Sequence, residues 1–125
     1  MNYVDANVLI YSLVDTTEKG AGCRRLLDSE RLVTCVLSLD EVAYKIGKKS
    51  PAEAVKAIDG IRKLTNLVLI AFLPEDVDTF VEYLSQGFKP RDAIHAACAK
   101  KVHATTIYSE DSDFDKLPIK RKTPW

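Results

Sequence analysis

Four acidic residues stand far apart in the sequence, and each lies at the predicted start of a helix or just after an apolar strand: Asp5, Glu41, Asp92 and Asp111. Carboxylate oxygens are the ligands that Mg²⁺ and Mn²⁺ prefer in proteins. Carboxylates within a few ångströms of one another repel unless they are protonated or bound to a cation. The residue types therefore predict a divalent-metal site, if the fold brings the four together.

The first and the last of these acids follow predicted strands. Asp5 interrupts the otherwise apolar run 3–10, where a buried carboxylate is costly unless it has a partner, a capping role or a metal. Asp111 comes shortly after the β-branched stretch 104–108, where the chain turns acidic. In open parallel sheets, ligands and substrates bind at the edge where the strands end. Both acids are therefore expected at a binding edge.

Each acid also has a structural interpretation. Asp5 could cap the helix that follows it. Glu41 completes the capping-box pattern 38–41, in which its side chain would reach back to the start of the helix. Asp92 lies in a first helical turn, where Arg91 could pair with it. Independent caps need not share one edge of a sheet, so the joint pattern favours a common site.

The acidic run 111–115 matches the start of an EF-hand calcium loop only superficially. That loop requires glycine at its sixth position and glutamate at its twelfth, whereas this chain has Lys116 and Lys122 there. Calcium binding of that kind is therefore not expected. Asp111 or Asp113 could instead cap a short helix, and Asp113 could also supply a further metal ligand or hold a coordinated water.

The hydrophobic periods and helix breakers predict an alternation of helices and strands. Strands are expected over residues 2–5, 32–36, 67–72 and 104–108, with a last one near 119–122. Helices are expected over residues 6–14, 17–29, 39–47, 51–64, 75–86 and 91–102, with a short one near 112–116. The alternation predicts a three-layer α/β/α fold around a mostly parallel sheet of four or five strands, in one domain spanning residues 1–125.

Composition limits the class of protein. No apolar run approaches the roughly 18 residues that a membrane span needs, and no signal-peptide pattern is present, so a cytoplasmic protein without membrane contact is expected. Three cysteines without a CxxC pair predict packing roles in a reducing compartment. The 18 basic and 18 acidic residues cancel, which excludes a global positive field. Any contact with phosphate must therefore be local.

Four segments, taken together and in this order, resemble the PIN-domain nucleases: 4–9, 38–42, 91–97 and 108–114. The resemblance covers nearly the entire chain. It is closest to the small VapC-type ribonucleases, which are toxins held inactive by a cognate antitoxin. Ala6 stands where threonine or serine is usual, and Ser109 where threonine is common, but neither difference removes a candidate metal ligand.

The resemblance implies an Mg²⁺- or Mn²⁺-dependent endoribonuclease that leaves 5′-phosphate and 3′-hydroxyl ends. It assigns the four acids as catalytic metal ligands, with Glu41 binding directly or through water and Asp113 as a further ligand. Asn7 and Ser109 could orient a carboxylate or a water, or could equally be turn residues. His95 lies three positions after Asp92, which allows either a general-base role or simple packing, and packing is favoured. The implied partners are RNA, an antitoxin and a second copy of the chain.

Two short basic groups could take RNA phosphates, although ordinary solubility explains such runs equally well. They consist of Lys45, Lys48 and Lys49, and of Lys120, Arg121 and Lys122, to which Lys116 adds a nearby charge. Tyr108 and Trp125 could stack on a base, or the tail that carries Trp125 could lie against a partner chain.

Two other functions remain open at this point. A haloacid-dehalogenase-like phosphatase would use Asp5 as its nucleophile, but that class needs a second aspartate at position 7, where this chain has Asn7. A PIN fold could also act as a non-catalytic RNA-binding or assembly module. Intact carboxylates speak against that role.

Overall fold

The computed structural model describes residues 1–125 and contains five parallel strands in one sheet. The strands are β1 (Asn2–Val4), β2 (Leu32–Cys35), β3 (Leu67–Ile70), β4 (Thr106–Tyr108) and β5 (Lys120–Lys122). The helices are α1 (Ala6–Val14), α2 (Glu18–Ser29), α3 (Leu37–Ile46), α4 (Pro51–Arg62), α5 (Val77–Ser85) and α6 (Pro90–Lys101), with 3₁₀ turns at Pro74–Asp76 and Ser112–Lys116. The predicted parallel α/β arrangement is confirmed.

The order of the strands in the sheet is β3-β2-β1-β4-β5. The chain therefore builds outward from β1 in one direction as far as β3, and then returns to the other side of β1 for β4 and β5. Such a reversal opens a crevice between the two neighbouring strands, at their carboxyl ends. Here the crevice lies beyond β1 and β4, which pair through Tyr3 with Ile107 and Val4 with Tyr108.

Alternation along β1 divides the protein into two cores, because successive side chains of a strand point to opposite faces. Tyr3 packs into the core beneath α5 and α6, whereas Val4 packs into the core beneath α1 to α4. Both side chains are fully buried. Complete burial of an aliphatic side chain stabilises the fold by about 1.5–3 kcal/mol, so these two cores hold β1 firmly between the helical layers.

The start of α3 differs from the prediction. The helix begins at Leu37, so Ser38 lies inside its first turn instead of capping it. Thr34 donates its only hydroxyl proton to the Val4 carbonyl at 2.7 Å, and Ser38 must therefore donate to Thr34, also at 2.7 Å. The capping-box interpretation of Glu41 is consequently wrong, and its carboxylate is available for another role.

Other boundaries shift by a few residues for local reasons. Asp5 ends β1 one residue early because it caps α1. Pro90 occupies the first turn of α6, as suits a residue without a backbone N–H. Ser50 caps α4, since its hydroxyl accepts from the Glu53 N–H at 3.4 Å. The cysteines are all buried and free. None of the helices has the length and apolar character needed to cross a bilayer.

A charged contact fixes the carboxyl-terminal end of α6. Lys101 donates to the Ala71 carbonyl at 3.0 Å and to the buried Asp76 carboxylate at 2.8 Å. The same carboxylate oxygen accepts from the Leu73 N–H at 2.8 Å and so caps the 3₁₀ turn before α5. The hydrogen bond from Lys101 holds the pKa of Asp76 below its usual range. Asp76 thus ties α5 to α6.

Replacing Asp76 with alanine should lower the free energy of unfolding by about 1 kcal/mol at pH 7, because the cap is lost. A lowered aspartate pKa stabilises the fold above the ordinary value of about 3.9, and this contribution disappears as the pH falls through the lowered value. Urea unfolding of the wild type and Asp76→Ala should therefore converge on acidification. Glu82→Ala, at an exposed and unpaired position of α5, is the control and should change little. An equal loss in both variants would contradict the assignment.

Candidate functional site

Asp5 lies at the crevice and is 6% exposed. Its Oδ1 accepts from the Ala6 N–H at 2.7 Å, and its Oδ2 accepts from the Ser109 hydroxyl at 2.7 Å. Burial raises the pKa of Asp5, while His95 and the Ser109 hydrogen bond oppose that rise. The capping interpretation of Asp5 is therefore correct, but capping does not exhaust its role, because the carboxylate also faces other acids.

Glu41 reaches the same crevice from α3 and contacts His95 of α6. The His95 Nε2 lies 2.5 Å from Glu41 Oε1 and 3.6 Å from Asp5 Oδ1. Candidate ligand atoms of Asp5, Glu41 and His95 all lie within 4.8 Å of one another. Burial alone would lower the pKa of His95, but the Glu41 hydrogen bond and the Asp5 charge raise it, and the net shift is upward.

A second acidic group contains Asp92, Asp111 and Asp113, whose carboxylate oxygens also lie within 4.8 Å of one another. Burial raises the pKa of Asp92 to about 6, and the charges of Asp111, Asp5 and Asp113 add to that rise. Asp111 caps the 3₁₀ turn, because its Oδ1 accepts from the Asp113 N–H at 2.9 Å. The influence of Asp5 on the pKa of Asp92 links the two acidic groups into one field of negative charge.

Ser109 connects the acids that follow β1 and β4. Its hydroxyl donates to Asp5 and accepts from the Asp111 N–H at 3.0 Å. Asn7 Nδ2 approaches the same oxygen at 3.5 Å, while Asn7 Oδ1 is buried without a hydrogen-bond partner. A buried amide oxygen that lacks a donor is costly and suits a cation or a water that a cation holds. The sequence prediction placed both residues beside the acids, which is where they lie.

An open pocket of about 440 Å³ exposes three of the acids on the surface, and no hydrophobic residue lines it. Its lining residues are Glu41, Lys89, Pro90, Arg91, Asp92 and Asp111. Lys89 and Arg91 were not predicted as site residues, although their position directly before Asp92 at a helix start was a usable signal. Arg91 approaches Asp40 at 3.9 Å, and not Asp92 as expected from the sequence.

The basic residues predicted to bind RNA lie elsewhere. Lys45, Lys48 and Lys49 line a separate groove beside α1. Lys120 and Lys122 are exposed on β5, an edge strand. None of these residues lines the acidic pocket.

Arg121, the remaining predicted RNA contact, is already bonded within the chain. Its Nε donates to Asp115 at 2.8 Å and its Nη1 donates to the Ser109 carbonyl at 3.1 Å. A phosphate would have to compete with these bonds. Two aromatic predictions also change: Tyr108 is buried and cannot stack on a base, and Trp125 packs edge-on against Tyr11 of its own chain, with 5.8 Å between ring centroids.

The donor set fits Mg²⁺ or Mn²⁺. The oxygens of Asp5, Glu41, Asp92, Asp111 and Asp113 supply hard, anionic ligands, and their mutual repulsion favours a bound cation. His95 is a poor ligand, because Nδ1 lies 2.7 Å from the Tyr3 hydroxyl and Nε2 is occupied by Glu41. An all-oxygen site is therefore the arrangement that these residues can form.

Several solved structures share the fold at low sequence identity. The VapC20 toxin of Mycobacterium tuberculosis, described as cleaving the sarcin-ricin loop, is 19% identical, with 95% of this chain and 96% of that chain covered and a TM-score of 0.79. FitAcB from Neisseria gonorrhoeae is 17% identical, with 100% and 99% covered and a TM-score of 0.78. DNA-bound VapBC from Salmonella typhimurium is 18% identical, with both chains fully covered and a TM-score of 0.75.

No curated protein matches the sequence. A model of the PIN domain family, by contrast, matches residues 3–120, which include every acid of the crevice. The strand order and the three-layer arrangement agree with that match. The chain belongs to the PIN domain family.

Proposed function

We propose that this protein is a metal-dependent endoribonuclease and the toxin half of a toxin–antitoxin pair. The observation that carries the proposal is the gathering of carboxylates in an open crevice at the strand reversal, where burial and the charges of neighbouring acids raise the pKa of Asp92 to about 6. Acids that served only as helix caps would not need to lie so close together. Membership of the PIN domain family supports the same conclusion.

Mg²⁺ or Mn²⁺ would be held by Asp5, Glu41, Asp92 and Asp111, with Asp113 as a further ligand or as the holder of a coordinated water. When bound, the metal would lower the pKa of a water molecule and stabilise negative charge on the phosphate. Asn7 and Ser109 would then orient Asp5 and the bound water. Ser109 is suited to this role because it already holds Asp5 and the backbone of Asp111.

The proposed nuclease must also hold RNA, a polyanion, beside an acidic pocket. Lys89 and Arg91 are the two cationic residues that line this pocket, and both are exposed. Lys89 has no ion pair within the chain, and Arg91 has only the long contact with Asp40 at 3.9 Å. Both side chains are therefore free to bind the phosphates next to the scissile bond. The expected products carry 5′-phosphate and 3′-hydroxyl ends.

The toxin assignment rests on the structural relatives. A relative from Klebsiella pneumoniae was solved as a toxin–antitoxin complex, and the VapC20 relative is a toxin that cleaves the sarcin-ricin loop. By analogy, the partners are an RNA substrate, an antitoxin protein and a second copy of the chain. A phosphatase that uses Asp5 as its nucleophile is disfavoured, because both carboxylate oxygens accept hydrogen bonds and position 7 is asparagine.

Purified protein should cleave end-labelled single-stranded RNA with Mg²⁺ or Mn²⁺ and not with EDTA. Asp5→Asn and Asp92→Asn should each reduce the cleavage rate by more than about 100-fold, since even residues that only support a metal ligand are worth 10–100-fold. Asp59→Asn removes an exposed carboxylate from α4 and serves as the control. Cleavage that persists in EDTA, or in both site variants, would contradict the proposed mechanism.

The Asp92→Asn variant should be more stable than the wild type in EDTA at pH 7, by about 1–2 kcal/mol. A raised aspartate pKa means that ionisation costs the folded state free energy as the pH rises from the unfolded value of about 3.9 through about 6. Asparagine avoids this cost, so the gain should vanish below about pH 4. Denaturant unfolding at both pH values measures it. A loss of stability at pH 7 would show that the cost of ionising Asp92 in the folded state does not dominate at this position.

The double variant Lys89→Ala/Arg91→Ala should lower kcat/KM by roughly tenfold at low salt and flatten its dependence on salt concentration. Each lost contact with single-stranded RNA should reduce the slope of log(kcat/KM) against log[salt] by about 0.7. Lys120→Ala/Lys122→Ala removes two cations from the exposed edge strand and tests the competing site. If only this second variant reduces the salt dependence of kcat/KM, RNA binds along the carboxyl-terminal segment and not beside Lys89 and Arg91.

A further inference from the structure

A buried chain of hydrogen bonds runs from the core to the edge of the acidic pocket. The Cys35 N–H donates to the Tyr3 hydroxyl oxygen at 3.0 Å, that hydroxyl lies 2.7 Å from His95 Nδ1, and His95 Nε2 lies 2.5 Å from Glu41 Oε1. Tyr3 is 0% exposed and His95 is 1% exposed. Neither side chain touches the pocket, and yet together they determine where one of its acids lies.

We infer that Tyr3 and His95 are positioning residues, which fix the Glu41 carboxylate at the pocket through a hydrogen-bonded chain whose donors all point toward Glu41. This inference rests on the proposed function, because it assigns the support of one proposed metal ligand. It goes further by giving roles to two buried residues that contact neither metal nor RNA.

The direction of the chain follows from the hydrogen-bonding capacity of each group. A backbone N–H can only donate, so the Tyr3 oxygen accepts from Cys35. The Tyr3 hydroxyl proton then needs an acceptor of its own, because an unpaired buried donor is costly, and His95 Nδ1 is the acceptor within reach. In the neutral ring, Nδ1 therefore carries the lone pair and Nε2 carries the proton. Burial raises the pKa of Tyr3, which keeps that hydroxyl protonated.

One carboxylate oxygen of Glu41 accepts a hydrogen bond, and the other is available to a ligand. The Nε2–H of His95 donates to Oε1, and no hydrogen bond within the chain uses Oε2. The Glu41 side chain is one-fifth exposed and lines the pocket, so the second oxygen can face a ligand there. The same Nε2–H lies 3.6 Å from Asp5, between two carboxylates that would otherwise repel. His95 thus both orients Glu41 and reduces the repulsion near it.

This arrangement excludes the general-base role that the spacing of His95 and Asp92 suggested. A base needs a free lone pair within hydrogen-bond reach of the proton that it removes. The lone pair on Nδ1 of His95 is occupied by Tyr3, and the ring is buried. Simple packing is also an incomplete description, because both ring nitrogens bond to side chains and one of those side chains lines the pocket.

The test compares His95→Leu with His95→Gln. Leucine cannot donate to Glu41, whereas the glutamine amide can place a donor near the Nε2 position. Mn²⁺ affinity, measured by titration calorimetry without RNA, should fall about 10–100-fold in His95→Leu and recover largely in His95→Gln. Where RNA is cleaved, kcat should follow the metal affinity, while KM at saturating metal stays near the wild-type value. Equal metal affinity in all three proteins would overturn the inference.

Two further measurements separate this inference from the proposed function. In ¹⁵N NMR of the wild type, His95 Nε2 should carry the proton and Nδ1 should not; the reverse tautomer, or a proton on both nitrogens, would overturn the inference even if His95→Leu does not fold. Glu41→Gln should weaken Mn²⁺ binding as much as His95→Leu does. If Glu41→Gln weakens binding and His95→Leu does not, the positioning role fails while the metal site stands. If metal affinities change as expected but no RNA is cleaved, the nuclease proposal fails and the positioning role stands.

Discussion

The reversal of strand order between β1 and β4 is the constraint on which the site depends. Neighbouring parallel strands whose connections leave in opposite directions have no crossover above their shared end. Residues that follow both strands can therefore meet directly. Asp5 follows β1 and Ser109 follows β4, and their 2.7 Å hydrogen bond is the first consequence. Asp111 and the 3₁₀ turn then continue from Ser109, so residues more than a hundred positions apart occupy one crevice.

Gathering carboxylates in the crevice costs electrostatic free energy. The surrounding groups offset only part of that cost. Asp5 obtains two hydrogen bonds and a nearby imidazole, yet burial still raises its pKa. The pKa of Asp92 rises to about 6, because burial and the charges of neighbouring acids outweigh the opposing effect of His95. A fold selected for stability alone would replace such a residue. A cation bound there, as proposed above, would offset the repulsion between the acids.

Local patterns predicted the elements well, because apolar period and helix breakers act over a few residues. They also placed Asp5 directly after β1 and Asp111 shortly after β4. The same local reasoning failed for Glu41, where Ser38 looked like a cap but bonds to Thr34 of the preceding strand. It could not find the contact between Tyr3 and His95, which are 92 positions apart. Contacts of that kind depend on packing across the sheet, and no single segment encodes them.

The helix α6 explains how the two helical layers meet at the crevice. Its buried face is built mainly from alanine, whose small side chain allows a helix to lie close to the sheet. That closeness brings His95 into reach of Tyr3 beneath the sheet and of Glu41 on α3, which packs in the opposite layer. The bond between His95 and Glu41 therefore joins the layers just beyond the ends of the strands. A larger residue on the alanine face would move α6 outward and separate Asp92 from the other acids, although it would lie outside the pocket itself.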